Sequence, residues 1–342
     1  MSITGRINSS KCPTDTSLLR VSLNLLGATK LHLIWSIMSI RNMTMAVLPI
    51  FIIIACNTKP ESDSAHTLSV TSTIHVTAIP AITSSTISFT STPFVCAENW
   101  QSLPVIPHKT GIARELYQRG ITGGNNPHAF SKIGDGQIST AWFLASFDLG
   151  DDYYSLGSYQ NLAPVIEYFH GSFERIGVAA RRGFNTNLIL DASASDSLLC
   201  NSGELPLDCE LRLNQPAFII LSLGTNQIWQ PEEFEMGLRR ILDILVMNNV
   251  VPILSTKGDD LEEDHRINQT IACLAQEYDL PLWNFWGAIQ SLQNHGLQPD
   301  LEHLTYYGIN DFGDTTAMQY AWTIRNLTAL QALDEVWRSV TE

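Results

Sequence analysis

The sequence predicts a three-layer α/β/α sandwich with a central parallel sheet, formed by the residues from about 96 to the end. Strand-like apolar segments alternate with helical segments, which is typical of a parallel sheet covered by helices on both faces. Residues 217–223 form an unbroken apolar run, as expected for a central strand that is buried on both faces. A helix follows, because proline and two acids begin it at Pro231-Glu232-Glu233 and apolar residues then recur at helical spacing.

The other elements continue this alternation along the chain. We expect strands at 129–133, 173–180, 217–223, 250–255 and 281–286. We expect helices from 231 onward, at 267–278 and from about 316 to 338. In an open parallel sheet, ligands bind outside the carboxyl ends of the strands. Candidate functional residues are therefore sought where these strands end.

The charge of the chain excludes one broad class of partner. The 342 residues carry a formal net charge of −14, with no basic patch, zinc-finger spacing or phosphate-binding loop. A nucleic-acid partner would require a basic face, so we expect none. We also expect no cofactor and no metal. The oligomeric state stays open.

Residues 1–56 are predicted to be an N-terminal extension followed by a lipoprotein-type signal peptide. Arg41 precedes a short apolar run at 43–56, which is too short to span a bilayer comfortably. The run ends in Ile53-Ile54-Ala55-Cys56 and resembles the bacterial lipobox, which implies cleavage before Cys56 and attachment of lipid to it. A signal beginning at Met38 is complete, so residues 1–37 are expected to be an over-extended start. The alternative is an uncleaved anchor that also uses the apolar residues around 31–40.

Residues 57–95 are predicted to be a disordered linker. About two in five of them are Ser or Thr, and charge is almost absent after Asp63. Such a tract cannot bury enough apolar surface to offset its ordering entropy. Together with a lipidated Cys56, it predicts an extracytoplasmic domain at 96–342 that is tethered to a membrane. A β-rich domain at this place is the alternative, from Ile/Val alternation around 74–87.

Four segments are candidates for a functional site. They are Gly134-Asp135-Gly136, Gly183, Gly224-Thr225-Asn226 and Asp300-x-x-His303. The first three lie at the ends of predicted strands, and the last lies in the loop before the final helix. An Asp and a His three residues apart can share one loop, so the carboxylate can orient the imidazole as a base. In isolation, each segment also fits a plain turn, an Asn cap or a surface pair.

In order and spacing, these segments resemble the SGNH (GDSL-type) hydrolase family over the chain from about 129 to the end. The resemblance implies a flavodoxin-like fold and an esterase or acyl hydrolase acting on a small-molecule or glycan ester. By position, His303 would be the base and Asp300 the acid that orients it. Backbone N–H groups of Gly136 and Gly183 and the side-chain amide of Asn226 would form the oxyanion hole.

Gly136 departs from the family, which has its nucleophilic serine at this position. Three alternatives follow from the missing hydroxyl. Ser139 could replace the serine, His303 could activate water directly, or the domain could bind an ester or glycan without hydrolysing it. Gln227 is a milder departure, where the family often has Asp. The sequence therefore leaves open whether the protein is an enzyme.

Three further features carry expectations of their own. Cys200 and Cys209 are expected to form a disulfide, since they bracket a short loop with no histidine nearby for zinc. Cys96 and Cys273 are a second pair or buried thiols. The aromatic run at 283–286 is expected to be core rather than a sugar-stacking surface. The acidic loop at 259–264 is expected to be solvated, because its spacing matches no EF-hand calcium loop.

Overall fold

A computed structural model of the chain describes Cys96, residues 99–108 and residues 111–342. The predicted N-terminal extension, signal peptide and linker at 1–95 lie outside the described residues. Within the described ranges, no helix is both long and apolar enough to cross a membrane.

A parallel four-stranded sheet lies at the centre of the described domain. The strands in chain order are β1 (Asn126–Gly134), β2 (Tyr154–Ser155), β3 (Pro216–Ser222), β4 (Val251–Ser255), β5 (Leu282–Trp283) and β6 (Asn310–Asp311). The main sheet has the order β1-β3-β4-β5, and every neighbouring pair is parallel. β2 and β6 form a separate parallel pair. All residues of β3 are buried, which explains its unbroken apolar sequence.

The strand predicted at 173–180 is wrong in extent. Ala180 alone pairs there, through an isolated parallel bridge to Gly134 on the side of β1 opposite β3. The N–H of Val178 donates to the buried carboxylate of Glu210 at 2.8 Å, so a side chain takes the place of a neighbouring strand. With Ala180 counted as a rudimentary edge strand, the sheet has the flavodoxin-like order 2-1-3-4-5.

Helices cover the sheet in two layers. They are α1 (Ala113–Gly123), α2 (Ser146–Leu149), α3 (Ala163–Tyr168), α4 (Thr186–Ile189), α5 (Pro206–Asn214), α6 (Pro231–Met247), α7 (Arg266–Glu277), α8 (Phe285–Ile289) and α9 (Ala321–Thr341). One layer contains α1, α3, α8 and α9, with α9 contacting the other three. The second layer contains α4, α5, α6 and α7, each contacting its neighbour in the layer. The prediction of a three-layer α/β/α sandwich is confirmed.

The elements near the carboxyl end differ from the prediction at their boundaries. β5 stops at Trp283, because the side chain of Asn284 caps α8 by accepting the N–H of Gly287 at 3.1 Å. Trp283 and Phe285 are fully buried, which confirms that this aromatic run is core. α9 begins later than residue 316, after an extended Tyr320.

Two disulfides are present among the described cysteines. Cys200 and Cys209 are joined, as predicted, with an S–S distance of 2.08 Å. Cys96 and Cys273 are also joined, which resolves the alternatives left by the sequence in favour of a pair. The second bond ties the beginning of the described chain to α7.

Candidate functional site

A cleft of about 310 Å3 lies at the carboxyl ends of β1 and β3. β1 leads into Asp135 and Gly136, and β3 leads through Gly224 to Asn226, and these loops line the cleft. After β1, the chain first passes to Ala180 on one side of β1 and then forms β3 on the other side of β1. The cleft therefore lies at the topological switch point of the sheet, where ligands bind in folds of this kind.

Asp300 and His303 form the hydrogen-bonded pair that the sequence predicted. Asp300 Oδ2 lies 2.8 Å from His303 Nδ1, while Oδ1 accepts the backbone N–H of His303 at 3.0 Å and of Glu302 at 3.1 Å. Those backbone bonds, His303 first, lower the pKa of Asp300 to about 2. The carboxylate is therefore ionised near neutral pH and His303 Nδ1 donates to it. The basic lone pair of this imidazole is then on Nε2, and His303 lines the cleft.

Gly136 lies in the wall of the cleft, and no atom lies close to the position that its side chain would occupy. A Cβ built on it would come no nearer than 3.6 Å to Arg182 Cγ, which is ordinary van der Waals contact. Its backbone lies outside the left-handed region. Neither space nor conformation requires glycine here, so a serine would fit at this position without strain.

Gly183 is held in a tight turn just outside the cleft. The N–H of Phe184 donates to the carbonyl of Arg181 at 3.0 Å, and Gly183 has a φ of +84° at the third position of that turn. This conformation favours glycine. The neighbouring Arg182 lines the cleft, whereas Gly183 does not.

Asn226 lines the cleft and is fixed by one hydrogen bond of its amide. Its Nδ2 donates to the carbonyl of Phe184 at 3.1 Å, which ties the loop after β3 to the turn at Gly183. The second hydrogen of this amide remains available to a ligand. The structure thus brings Gly136, Asn226 and His303 to one cleft, with Asp300 behind His303 and Gly183 adjacent to the lining.

Gln227, at the position where Asp is frequent in the family, has a structural role. Its side chain is buried, and Oε1 accepts the backbone N–H of Thr186 at 3.1 Å and its hydroxyl at 2.9 Å. These bonds attach the first turn of α4 to the loop after β3. Gln227 therefore helps to hold the adjacent Asn226 in place.

The acidic loop after β4 is buried in part, contrary to the prediction of a solvated loop. Lys257 Nζ, only 3% exposed, donates to Asp259 Oδ1 and Glu262 Oε2, both at 2.6 Å. The other oxygen of Asp259 accepts the hydroxyl of Thr225 at 2.7 Å. The prediction failed because a lysine outside the acidic run draws two of its carboxylates inward. This charged cluster supports the loop that carries Asn226.

Ser139 lines the cleft in a turn that precedes α2. Its N–H donates to the carbonyl of Asp135 at 3.1 Å, and the residues up to Ala145 form turns and bends before α2 begins. Ser139 therefore contributes a hydroxyl to the cleft, displaced from the position of Gly136 by this turn.

Asp135 is a cleft residue whose ionisation the sequence did not anticipate. It is 4% exposed and Oδ1 accepts the N–H of Gln137 at 3.1 Å. Burial raises the pKa of Asp135 to about 6, although the nearby Arg325 opposes the shift. Arg325 is fully buried, with its guanidinium 4.6 Å from the centre of the Phe285 ring.

Sequence reasoning also missed several side chains that line the cleft. They are Arg182, Glu302, Gln298, Trp142 and Trp322. Arg182 and Glu302 are adjacent in sequence to candidate residues, and that adjacency was a usable signal. The two tryptophans had no such signal, because the fold brings them to the cleft from outside the four segments.

No family model and no curated protein matches the chain. Among solved structures, it is similar to a GDSL-like lipase from Bacteroides thetaiotaomicron, with 12% identity, 65% of this chain and 97% of that chain covered, and a TM-score of 0.37. It is also similar to a catalytic mutant of an acetylxylan esterase from Geobacillus stearothermophilus, with 14% identity, coverage of 61% and 94%, and a TM-score of 0.39. The strand order and the two helical layers confirm the flavodoxin-like three-layer α/β/α sandwich that the sequence predicted.

Proposed function

We propose that the domain is an SGNH-type ester or acyl hydrolase whose cleft binds an ester and polarises its carbonyl. The observation that supports this proposal is the meeting of His303, oriented by Asp300, with Gly136 and Asn226 in one cleft. Acyl transfer needs a base and preorganised donors for the developing oxyanion. Removing one such donor typically costs about 3–4 kcal/mol of transition-state stabilisation.

In the absence of a serine at position 136, water is the proposed nucleophile. His303 Nε2 takes a proton from a bound water, and the hydroxide attacks the ester carbonyl. The Gly136 N–H and the free hydrogen of the Asn226 amide donate to the resulting oxyanion. Collapse of this intermediate breaks the bond to the alcohol, which receives the proton back from His303. The products are a carboxylic acid and an alcohol, with an acylated glycan as the proposed substrate class.

A second function, binding of an ester or glycan without hydrolysis, is favoured by Gly136 itself. Water activation lacks the covalent step that a serine provides, while the binding and polarising groups stay in place. The same cleft would then hold a ligand and release it unchanged.

Hydrolysis of p-nitrophenyl acetate and butyrate by wild type, Gly136→Ser and His303→Ala separates these functions. A Gly136→Ser variant should gain activity, because the serine fits and the base is already oriented. Adding His303→Ala to Gly136→Ser should abolish that gain. Gly123→Ser is the matched control, since this glycine also has open space around its Cβ but lies at the end of α1.

Each outcome of these assays indicates a different function for the cleft. Wild-type hydrolysis that disappears with His303→Ala supports the water route. A silent wild type beside an active Gly136→Ser supports binding without turnover. If neither protein hydrolyses either ester, the proposed ester site is contradicted.

We further propose that the domain is extracytoplasmic and held at a membrane by a lipidated Cys56 and the linker at 57–95. The disulfide between Cys200 and Cys209 supports an oxidising compartment. In a bacterial host, metabolic labelling with a fatty-acid probe should label the wild-type chain and not a Cys56→Ala variant. Equal labelling of both chains would contradict lipidation at Cys56.

A further inference from the structure

Three aromatic side chains form a corner at one wall of the cleft. Trp142 and Trp322 line it, with ring centres 5.9 Å apart and planes inclined by 74°. Tyr306 stacks on Trp142, with ring centres 4.7 Å apart and planes inclined by 22°. We call these three residues the aromatic corner.

The indole of Trp142 is held rigidly although half of the residue is exposed. Its exposure is 50%, and Tyr306 is 45% exposed. Tyr306 stacks on one face of the indole and Trp322 meets the ring at a steep angle, and together they leave half of Trp142 exposed. The backbone beneath it is fixed, since the Trp142 carbonyl accepts Asn326 Nδ2 at 2.9 Å and its N–H donates to Thr140 Oγ1 at 3.2 Å.

A group of exposed aromatic rings lowers the solubility of a protein, and its presence in a cleft indicates a ligand-binding surface. Singly exposed tryptophans are ordinary, but here the exposed ring is oriented by two others and lines a cleft with a candidate base. A rigid aromatic ring offers a flat apolar face at little cost in conformational entropy. This arrangement fits a ligand that also has a flat face of C–H groups.

The polar lining of the same cleft specifies the rest of that ligand. Gln137, Gln298, Arg182 and Glu302 line it together with the aromatic corner. Amides, a guanidinium and a carboxylate supply both donors and acceptors, which suits a ring bearing several hydroxyl groups. A pyranose has this combination, with hydroxyls around its rim and C–H groups on its faces.

A long hydrocarbon chain fits this cleft less well. Apart from the aromatic rings, Leu304 is the apolar side chain that the described residues contribute to its lining. Burying a fatty acyl chain against amides and charged groups would leave those groups without partners. The aromatic corner therefore favours binding of the alcohol part of an ester over binding of a long acyl chain.

We propose that the aromatic corner is a subsite for a neutral sugar ring, which stacks on Trp142 while its ester reaches His303 and Gly136. This inference rests on the proposed function and deepens it, because it assigns the residues that select a glycan ester over a simple one. Trp142 provides the stacking face, Tyr306 and Trp322 orient it, and the polar side chains of the cleft bind the hydroxyls.

Fluorescence titration of the full wild-type chain with xylotetraose and with N-acetylchitotetraose tests the subsite directly. At least one of these sugars should change the tryptophan emission in a saturable way. Trp142→Ala should weaken that binding at least tenfold, and Trp142→Phe, which keeps a smaller ring, should weaken it less. The matched control is Trp229→Ala, because Trp229 is 82% exposed and does not line the cleft. Thermal unfolding of each variant establishes that it is folded.

A kinetic comparison in the Gly136→Ser background tests the same residue. Trp142→Ala should raise KM for xylose tetraacetate at least tenfold and change KM for ethyl acetate, which has no ring to stack, less than twofold. Equal effects on the two esters would overturn the sugar subsite even though the ester function stands. If neither wild type nor Gly136→Ser hydrolyses an ester, the ester function fails, and the titration decides the subsite by itself. A wild type that binds neither sugar, or a Trp142→Ala variant that binds like Trp229→Ala, would overturn it.

Discussion

At the scale of single residues, two glycines of the site differ in what the backbone requires of them. Gly183 has a φ of +84° in a turn closed by Phe184, and a side chain there would be strained. Gly136 has neither a positive φ nor a close neighbour. Glycine at position 136, where the resemblance implies a nucleophilic serine, is therefore a local chemical difference. The backbone around it is compatible with a serine.

Asp135 makes a residue-scale prediction about stability and pH. Its pKa is about 6 in the fold, against an ordinary value of 3.8 for aspartate. Below about pH 4 the carboxyl is protonated in both states. As pH rises toward 6 the unfolded chain loses this proton first, so the contribution of Asp135 to stability decreases and then levels off. The loss is on the order of 2–3 kcal/mol.

The variant Asp135→Asn should remove this pH dependence, because asparagine stays neutral and keeps the oxygen that accepts the Gln137 N–H. Urea unfolding should show similar stability for the two proteins at pH 4 and a more stable variant at pH 7.5. Asp191→Asn is the control, since hydrogen bonds from Ser193 lower the pKa of this exposed carboxyl and no gain is expected. A variant less stable than wild type at pH 7.5 would contradict the prediction.

At the scale of elements, the sequence predicted those strands and helices that short-range patterns of apolar residues determine. β3 and α6 follow from an apolar run and a helical period, and both lie close to their predicted bounds. The prediction of a strand at 173–180 failed because the backbone there bonds to the side chain of the distant Glu210. Likewise, the pair of Asp300 and His303 could be predicted because they lie three positions apart in one loop. Trp142 could not, because its role depends on rings that follow it by more than 160 positions in the chain.

The buried cluster after β4 makes an element-scale prediction. Lys257 pairs with both Asp259 and Glu262, so Lys257→Met would leave two carboxylates buried without their cation. Breaking a buried ion pair in this way typically costs about 3–5 kcal/mol. Urea unfolding should show a loss of this size. The triple variant Lys257→Met, Asp259→Asn, Glu262→Gln should recover much of it, because no charge is then left unpaired.

The matched control for this cluster is Arg239→Met on the surface of α6. Arg239 pairs with Glu235 and Glu277, and its side chain is 35% exposed. Exposed pairs of this kind contribute about 0–1 kcal/mol. Equal losses from Lys257→Met and Arg239→Met would show that burial of the cluster has no energetic consequence.

At the scale of the whole molecule, one sheet positions every part of the site. β1 and β3 end beside each other, so their loops supply Gly136 and Asn226 to the same cleft. The loop before α9 brings His303 to that edge, and Gln137 Nε2 donates to the carbonyl of Glu302 at 3.4 Å across the cleft. The site therefore depends on the docking of the carboxyl-terminal segment against the sheet.

The two disulfides of the described domain close loops of very different length. Cys96 and Cys273 are 177 positions apart, whereas Cys200 and Cys209 are 9 apart. Loop-closure entropy grows with the logarithm of loop length, which gives about 5 kcal/mol for the long loop and about 3 kcal/mol for the short one. Replacing Cys96 and Cys273 with serine should therefore lower the free energy of unfolding more than replacing Cys200 and Cys209. Urea unfolding of both double variants measures the difference, with reduced wild type as the reference for losing both bonds. A larger loss from the short loop would show that contacts around Cys200 and Cys209, rather than chain entropy, set the effect of these bonds.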